Sequence, residues 1–89
     1  MPSSNVPHLV SLEAQLLALI QERLLETPPN FNAETNLYDS GLDSMAIMQL
    51  LLLLEENFGV VLIDADLTRK NFSDVRHLAQ LVQRRISAG

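Results

Sequence analysis

At 89 residues, with 47% hydrophobic content, the chain has room for one domain and a single modest core. It contains no cysteine, which excludes disulfides, thiolate metal sites and a cysteine nucleophile. The net charge of −5 is uneven: residues 1–66 carry ten acids against one base, Arg23, whereas Arg69, Lys70, Arg76, Arg84 and Arg85 face only Asp74 in the remainder. An acidic body disfavours nucleic acid and favours partners with basic surfaces.

Residues 1–8 read as a tail, with two prolines and little to bury. A helix is predicted from Leu9 to Glu26, where Leu9, Leu12, Leu16, Leu19 or Ile20, and Leu24 recur at three- and four-residue steps. Asn5, Pro7 and Ser11 each offer a starting point. Thr27-Pro28-Pro29 stops the helix, because the residue before a proline is pushed out of the helical region. Thr27 to Leu42 is then a long connection without periodicity, of the kind that is functional or tacked down by its own side chains. Phe31, Leu37 and Leu42 are the expected tacks, and Asp39-Ser40-Gly41 is turn chemistry.

The second helix is expected from Ser44 to Asn57. The apolar run Met45 to Leu54 covers ten residues, half of the ~20 a membrane-spanning helix needs. Projected on a wheel, Ile47, Leu50, Leu51, Leu54 and Phe58 form the core stripe. Met45, Gln49, Leu52 and Glu56 share another face, read as a solvent-facing contact surface because Gln49 and Glu56 make poor core residues. Gly59 suits the C-terminal stop. Val60 to Ile63 is expected as an extended connection pressed into the core, with Asp64 or Asp66 capping a short helix through about Lys70. Ser73 should cap a last helix whose stripe is Val75, Leu78, Ala79, Val82 and Ile86. Arg84 and Arg85 would complement its negative end. The fold class is all-α: a small four-helix bundle, three main helices and one short, with its longest loop leading into Ser44. The folded domain is expected over residues 9–86, with 87–89 a short C-terminal tail.

Ser44 admits two accounts from the residues alone. It is a good N-cap, and it is also a hydroxyl presented at a rigid helix start. Nucleophilic catalysis by Ser44 lacks a base: His8 lies in the tail and His77 on the last helix. No calcium-loop spacing and no phosphate-cradling glycine motif occurs, so no metal site is expected and catalysis by the chain itself is disfavoured. No secretion signal is visible, which leaves the cytoplasm as the default compartment.

Leu37, Asp39-Ser40-Gly41-Leu42-Asp43-Ser44-Met45 and Glu55-Glu56-Asn57-Phe58-Gly59, followed by Ile63-Asp64, Phe72-Ser73-Asp74-Val75 and Leu78-Ala79, together resemble the acyl carrier protein family over residues 9–86. The resemblance implies a monomeric carrier whose Ser44 receives 4′-phosphopantetheine from coenzyme A through a phosphopantetheinyl transferase. The thiol missing from the chain would then hold cargo as a thioester, loaded by an acyl or aminoacyl ligase and passed to acceptor enzymes. Partner recognition would fall to Asp43, Met45, Gln49, Leu52 and Glu56, with Asp43 turned outward to a basic group or metal ion on the modifying enzyme. Two departures stand out: Met45 replaces the family's leucine, and Ala46 and Gln49 stand where fatty-acid-synthesis carriers have acids. Leu67-Thr68-Arg69-Lys70-Asn71-Phe72 resembles small stand-alone carriers that receive amino acids. The alternative is a helical interaction module that binds a partner unmodified, through the exposed face of the second helix.

Overall fold

The structure is a computed structural model that describes residues 9–88; the expected tail at 1–8 lies outside them. It consists of α1 (Leu9–Arg23), α2 (Ser44–Phe58), a single 3-10 turn (Asp64–Asp66) and α3 (Val75–Ala88). The described residues contain no strand. The all-α expectation holds, with the short helix reduced to one turn. α3 continues to Ala88, inside the stretch expected to be a C-terminal tail.

On α1, Leu12, Leu16 and Ile20 are fully buried at four-residue steps, which settles the choice between Leu19 and Ile20. The helix ends three residues earlier than Glu26. The N–H groups of Leu24 and Leu25 both donate to the Ile20 carbonyl, at 3.1 and 2.9 Å, so the last turn has loosened before the diproline is reached. α1 packs on α3, whose Val75, Leu78, Ala79 and Val82 are buried as expected, joined by Leu81.

The long connection is sewn down at many points. Phe31, Leu37 and Leu42 are buried. The Leu37 N–H donates to the Ser73 carbonyl at 2.8 Å, and the Arg76 N–H in the first turn of α3 donates to Ala33 at 3.0 Å. Asn36 accepts from the Asp39 N–H at 2.9 Å, and the Leu42 N–H returns to Leu37 at 3.0 Å. Gly41 closes this turn at φ 110°, a conformation that side-chain-bearing residues rarely adopt. A loop so tied can hold the start of α2 in a fixed place.

α2 buries Leu50 and Leu54 completely, with Ala46 and Leu53 beside them and Ile47, Leu51 and Phe58 half-buried at the edge. Gly59 ends it in the left-handed region at φ 66°, its N–H donating to Glu55 at 3.0 Å. Val60 to Ile63 is extended, but it does not press all its side chains inward. Extended backbone sends alternate residues to opposite sides, so Val60 is buried while Val61 and Ile63 are 66% and 54% exposed.

The expected cap of α3 shifts by one residue. Asp74, not Ser73, caps α3: its Oδ1 accepts the His77 N–H at 2.8 Å, while the Ser73 hydroxyl donates to the Lys70 carbonyl at 2.7 Å. Arg85 lies in the last turn of α3, as expected, and has a further partner. It makes a forked pair with the buried Asp66, at 2.6 and 2.9 Å, and Asp66 also accepts the Ile63 N–H at 3.0 Å. The hydrogen bonds from Arg85 hold the Asp66 carboxyl below the usual aspartate range, against the opposing effect of burial and with help from the Ile63 N–H.

Two outcomes follow from this packing. Leu54→Asp removes ~1.5–3 kcal/mol of apolar burial and inserts an unpaired charge, so a thermal melt should show loss of the folded transition. Because the folded Asp66 is the stronger acid, its stabilisation is complete above the unfolded aspartate value of about 3.9 and is lost as pH falls through the lower folded value. Melting temperature should therefore drop in acid, and Asp66→Asn should flatten that drop.

Candidate functional site

The start of α2 is built around Asp43. Its backbone is extended, at φ −132° and ψ −172°, and its Oδ1 accepts the Ala46 N–H at 2.9 Å. Its carbonyl accepts the Ile47 N–H at 2.8 Å, the first bond of the helix. Asp43 is thus the N-cap, and Ser44 is the first helical residue. Of the two accounts of Ser44, the capping role falls to its neighbour: one Asp43 oxygen is turned inward onto the helix, while the residue itself stays exposed. A carboxylate is a charged acceptor at the positive end of the dipole, which favours it over the neighbouring hydroxyl.

Relieved of capping, Ser44 is exposed, and among the described residues no group is hydrogen-bonded to its hydroxyl. The N–H groups of Ser44 and Met45 have no acceptor within the helix, as at any helix start. The serine therefore combines an accessible oxygen with the positive end of a rigid helix.

The structure brings the sequence-predicted face together and re-centres it. Met45, Gln49, Leu52 and Glu56 are all exposed, as are Asp43 and Ser44. Met48, absent from the expected face, is 64% exposed between Met45 at 74% and Leu52 at 60%. Ser44, Met48 and Leu52 stand at four-residue steps, so these thioethers and the leucine form the middle of the solvent face. Glu55 and Glu56 border it. The spacing from Ser44 was the clue to Met48 in the sequence. Gln49, Leu52, Leu53 and Glu56 also line an open groove of about 260 Å³ shared with Arg23 at the end of α1.

His77 is drawn to Asp74, Nδ1 to Oδ1 at 2.7 Å, within the first turn of α3. Among the described residues, no three His, Asp or Glu side chains gather as a metal site, and no helix is long and apolar enough to cross a membrane.

A family profile described as a phosphopantetheine attachment site matches residues 14–82. Aminoacyl carrier protein 2 of Bradyrhizobium diazoefficiens is 23% identical over 82 residues, covering 90% of this chain and 92% of the relative. The D-alanyl carrier protein of Abiotrophia defectiva is 28% identical over 78 residues, covering 86% and 99%. The fold is also similar to a chain in the crystal structure of an engineered Bradyrhizobium japonicum glycine:[carrier protein] ligase complexed with a carrier protein from Agrobacterium tumefaciens and ATP. There the TM-score is 0.65 with 32% identity, over 86% of this chain and 99% of that one. A chain in the Bradyrhizobium japonicum ligase complexed with glycylated carrier protein gives 0.58 and 25%, over 82% and 95%. The chain belongs to the phosphopantetheine attachment site family. It is a carrier protein, of a family that bears covalently attached 4′-phosphopantetheine.

Loss of the cap should be measurable without touching Ser44. Asp43→Ala is expected to cost about 1 kcal/mol in urea denaturation, and Asp43→Asn much less, since the amide oxygen still accepts the Ala46 N–H.

Proposed function

We propose that Ser44 carries the phosphopantetheine arm and that the chain is a stand-alone aminoacyl carrier. The observation that carries the attachment point is the exposed Ser44 hydroxyl beside a neighbour that does the capping. The residues present fit a phosphodiester there. The anion would meet the free first-turn N–H groups and the positive dipole end, worth ~0.3–1 kcal/mol when exposed. Asp43 opposes it by charge, but its Oδ1 already accepts the Ala46 N–H. When bound, the arm supplies the thiol that holds cargo as a thioester. The chain's own part is to present that arm at a fixed point and to offer α2 as the surface on which other proteins dock.

The amino-acid cargo rests on likeness to the aminoacyl and D-alanyl carriers and to carriers solved with a glycine ligase. By that likeness the loading partner is an ATP-dependent aminoacyl ligase. A phosphopantetheinyl transferase acts before it and an acceptor enzyme after it. Docking falls to Met45, Met48 and Leu52, bordered by Gln49 and Glu56, a face with fewer acids than fatty-acid carriers show. We read the chain as a monomeric carrier domain over residues 9–86 that performs no chemistry of its own. The exposed apolar face also suits an unmodified interaction module.

Incubation with coenzyme A and a broad-specificity phosphopantetheinyl transferase separates these readings. Intact and peptide mass spectrometry should place one phosphopantetheine on Ser44, with Ser44→Ala folded and unmodified. Addition at another residue would overturn Ser44 as the attachment point, and no addition would favour the unmodified module. Leu52→Asp should leave the thermal melt unchanged and reduce ligase loading.

A further inference from the structure

The groove between the end of α1 and the side of α2 combines chemistry that neither the core nor the attachment point uses. Arg23, the last residue of α1, lines one side, and Gln49 and Glu56 of α2 line the other together with Leu52 and Leu53. Leu53 is buried and Leu52 is 60% exposed, so apolar surface lies under one cation, one anion and one amide. Arg23 and Glu56 border the same space, yet among the described residues no ion pair joins them. A hydrocarbon laid there would strip water from both charges and return nothing. A ligand with an ammonium and a carbonyl group would answer both.

The Arg23 side is also tied to the start of α2. Directly after Arg23, the N–H groups of Leu24 and Leu25 turn back to the Ile20 carbonyl, and a Cβ added at Gly41 would lie only 3.8 Å from Leu25. Gln49, Leu52 and Glu56 follow Ser44 at about 7, 12 and 18 Å along the helix axis. An arm bearing an amino acid, extended at the ~1.2 Å per bond of a peptide backbone, reaches about 20 Å from the serine oxygen to the α-ammonium. Side chains on a helix tilt towards its N-terminus, which brings the Glu56 carboxylate back within that reach.

We propose that this groove is a resting place for the outer half of the loaded arm. Glu56 binds the α-ammonium of the aminoacyl cargo, Arg23 donates to the carbonyl beside it, and Gln49 bonds an amide of the arm. The volume, about 260 Å³, falls below the ~300–1,000 Å³ that encloses a drug-sized ligand and suits the end of a chain lying along it. This rests on the aminoacyl-carrier reading above, and adds a site on the carrier itself that distinguishes an amino acid from a plain acyl group.

The test uses the full chain, labelled with carbon-13 and nitrogen-15. A broad-specificity phosphopantetheinyl transferase installs the arm from two unlabelled coenzyme A amide analogues: glycyl, which carries the ammonium, and propionyl, in which a methyl group replaces it. Because the cargo arrives with the arm, the result does not depend on any ligase. In the glycyl form, isotope-filtered NOE spectra should place arm protons against the Leu52 methyls. The Arg23 Nε–H, the Gln49 side-chain amide and the Glu56 backbone N–H should shift from their positions in the chain carrying the unloaded arm. The propionyl form should lose most of these shifts. Glu56→Gln and Arg23→Gln change exposed side chains and should leave the thermal melt unaltered. Glu56→Gln should reduce the glycyl pattern to the propionyl one, and Arg23→Gln should weaken it. Arm contacts confined to Ser44 and its neighbours, or equal shifts from the two cargoes, would overturn the groove assignment alone. Mass added at a residue other than Ser44, or no mass added, would remove the attachment reading and the groove assignment together.

Discussion

The hydrogen bond from the Ala46 N–H to Asp43 is the constraint on which the start of α2, and with it the proposed attachment site, depends. A helix start leaves N–H groups without partners, and some side chain or water must answer them. Here the residue before the serine does so. That fixes the first turn of α2 and leaves the Ser44 oxygen exposed. Had the serine itself capped the helix, its hydroxyl would have been drawn back onto the backbone. The division of labour between two adjacent residues is what makes a rigid helix start compatible with an accessible oxygen.

The rest of the fold holds that start still. The loop before α2 is tied to the first turn of α3 through Leu37–Ser73 and Ala33–Arg76. The chain after α2 returns towards the same end, held by Asp66–Arg85 and Arg69–Tyr38. α2 is therefore bracketed by two ordered connections, and its inner face is committed to Leu50 and Leu54. Its outer face is left to Met48 and Leu52, with Met45 beside Ser44. Methionine suits a surface that meets more than one partner, because its unbranched chain adapts its shape at low cost.

Much of the architecture was legible in the sequence because it rests on spacing. The stripes of α1 and α3, the buried tacks Phe31, Leu37 and Leu42, and the stop at Gly59 all follow from local rules of periodicity and turn chemistry. Single-residue choices were less legible. Asp43 and Ser44 are both good caps, as are Ser73 and Asp74, and adjacent candidates differ by less than a pattern can resolve. Met48 was hidden for another reason. In a run from Met45 to Leu54 interrupted only by Gln49, hydrophobicity says little about which side faces water, and Gln49 and Glu56 marked only one edge of the exposed face. The Asp66–Arg85 pair joins residues 19 apart in sequence, a contact that belongs to the packing of a connection on a helix and to no local motif.

The account stands on Asp43, and not Ser44, holding the first turn of α2. Amide hydrogen exchange at Ala46, followed by NMR in Ser44→Ala, tests this directly. The account predicts that Ala46 exchanges at the wild-type rate, because its acceptor is untouched. Marked acceleration in Ser44→Ala would show that the serine oxygen is engaged in the cap, and would contradict the free hydroxyl on which the proposed attachment site rests.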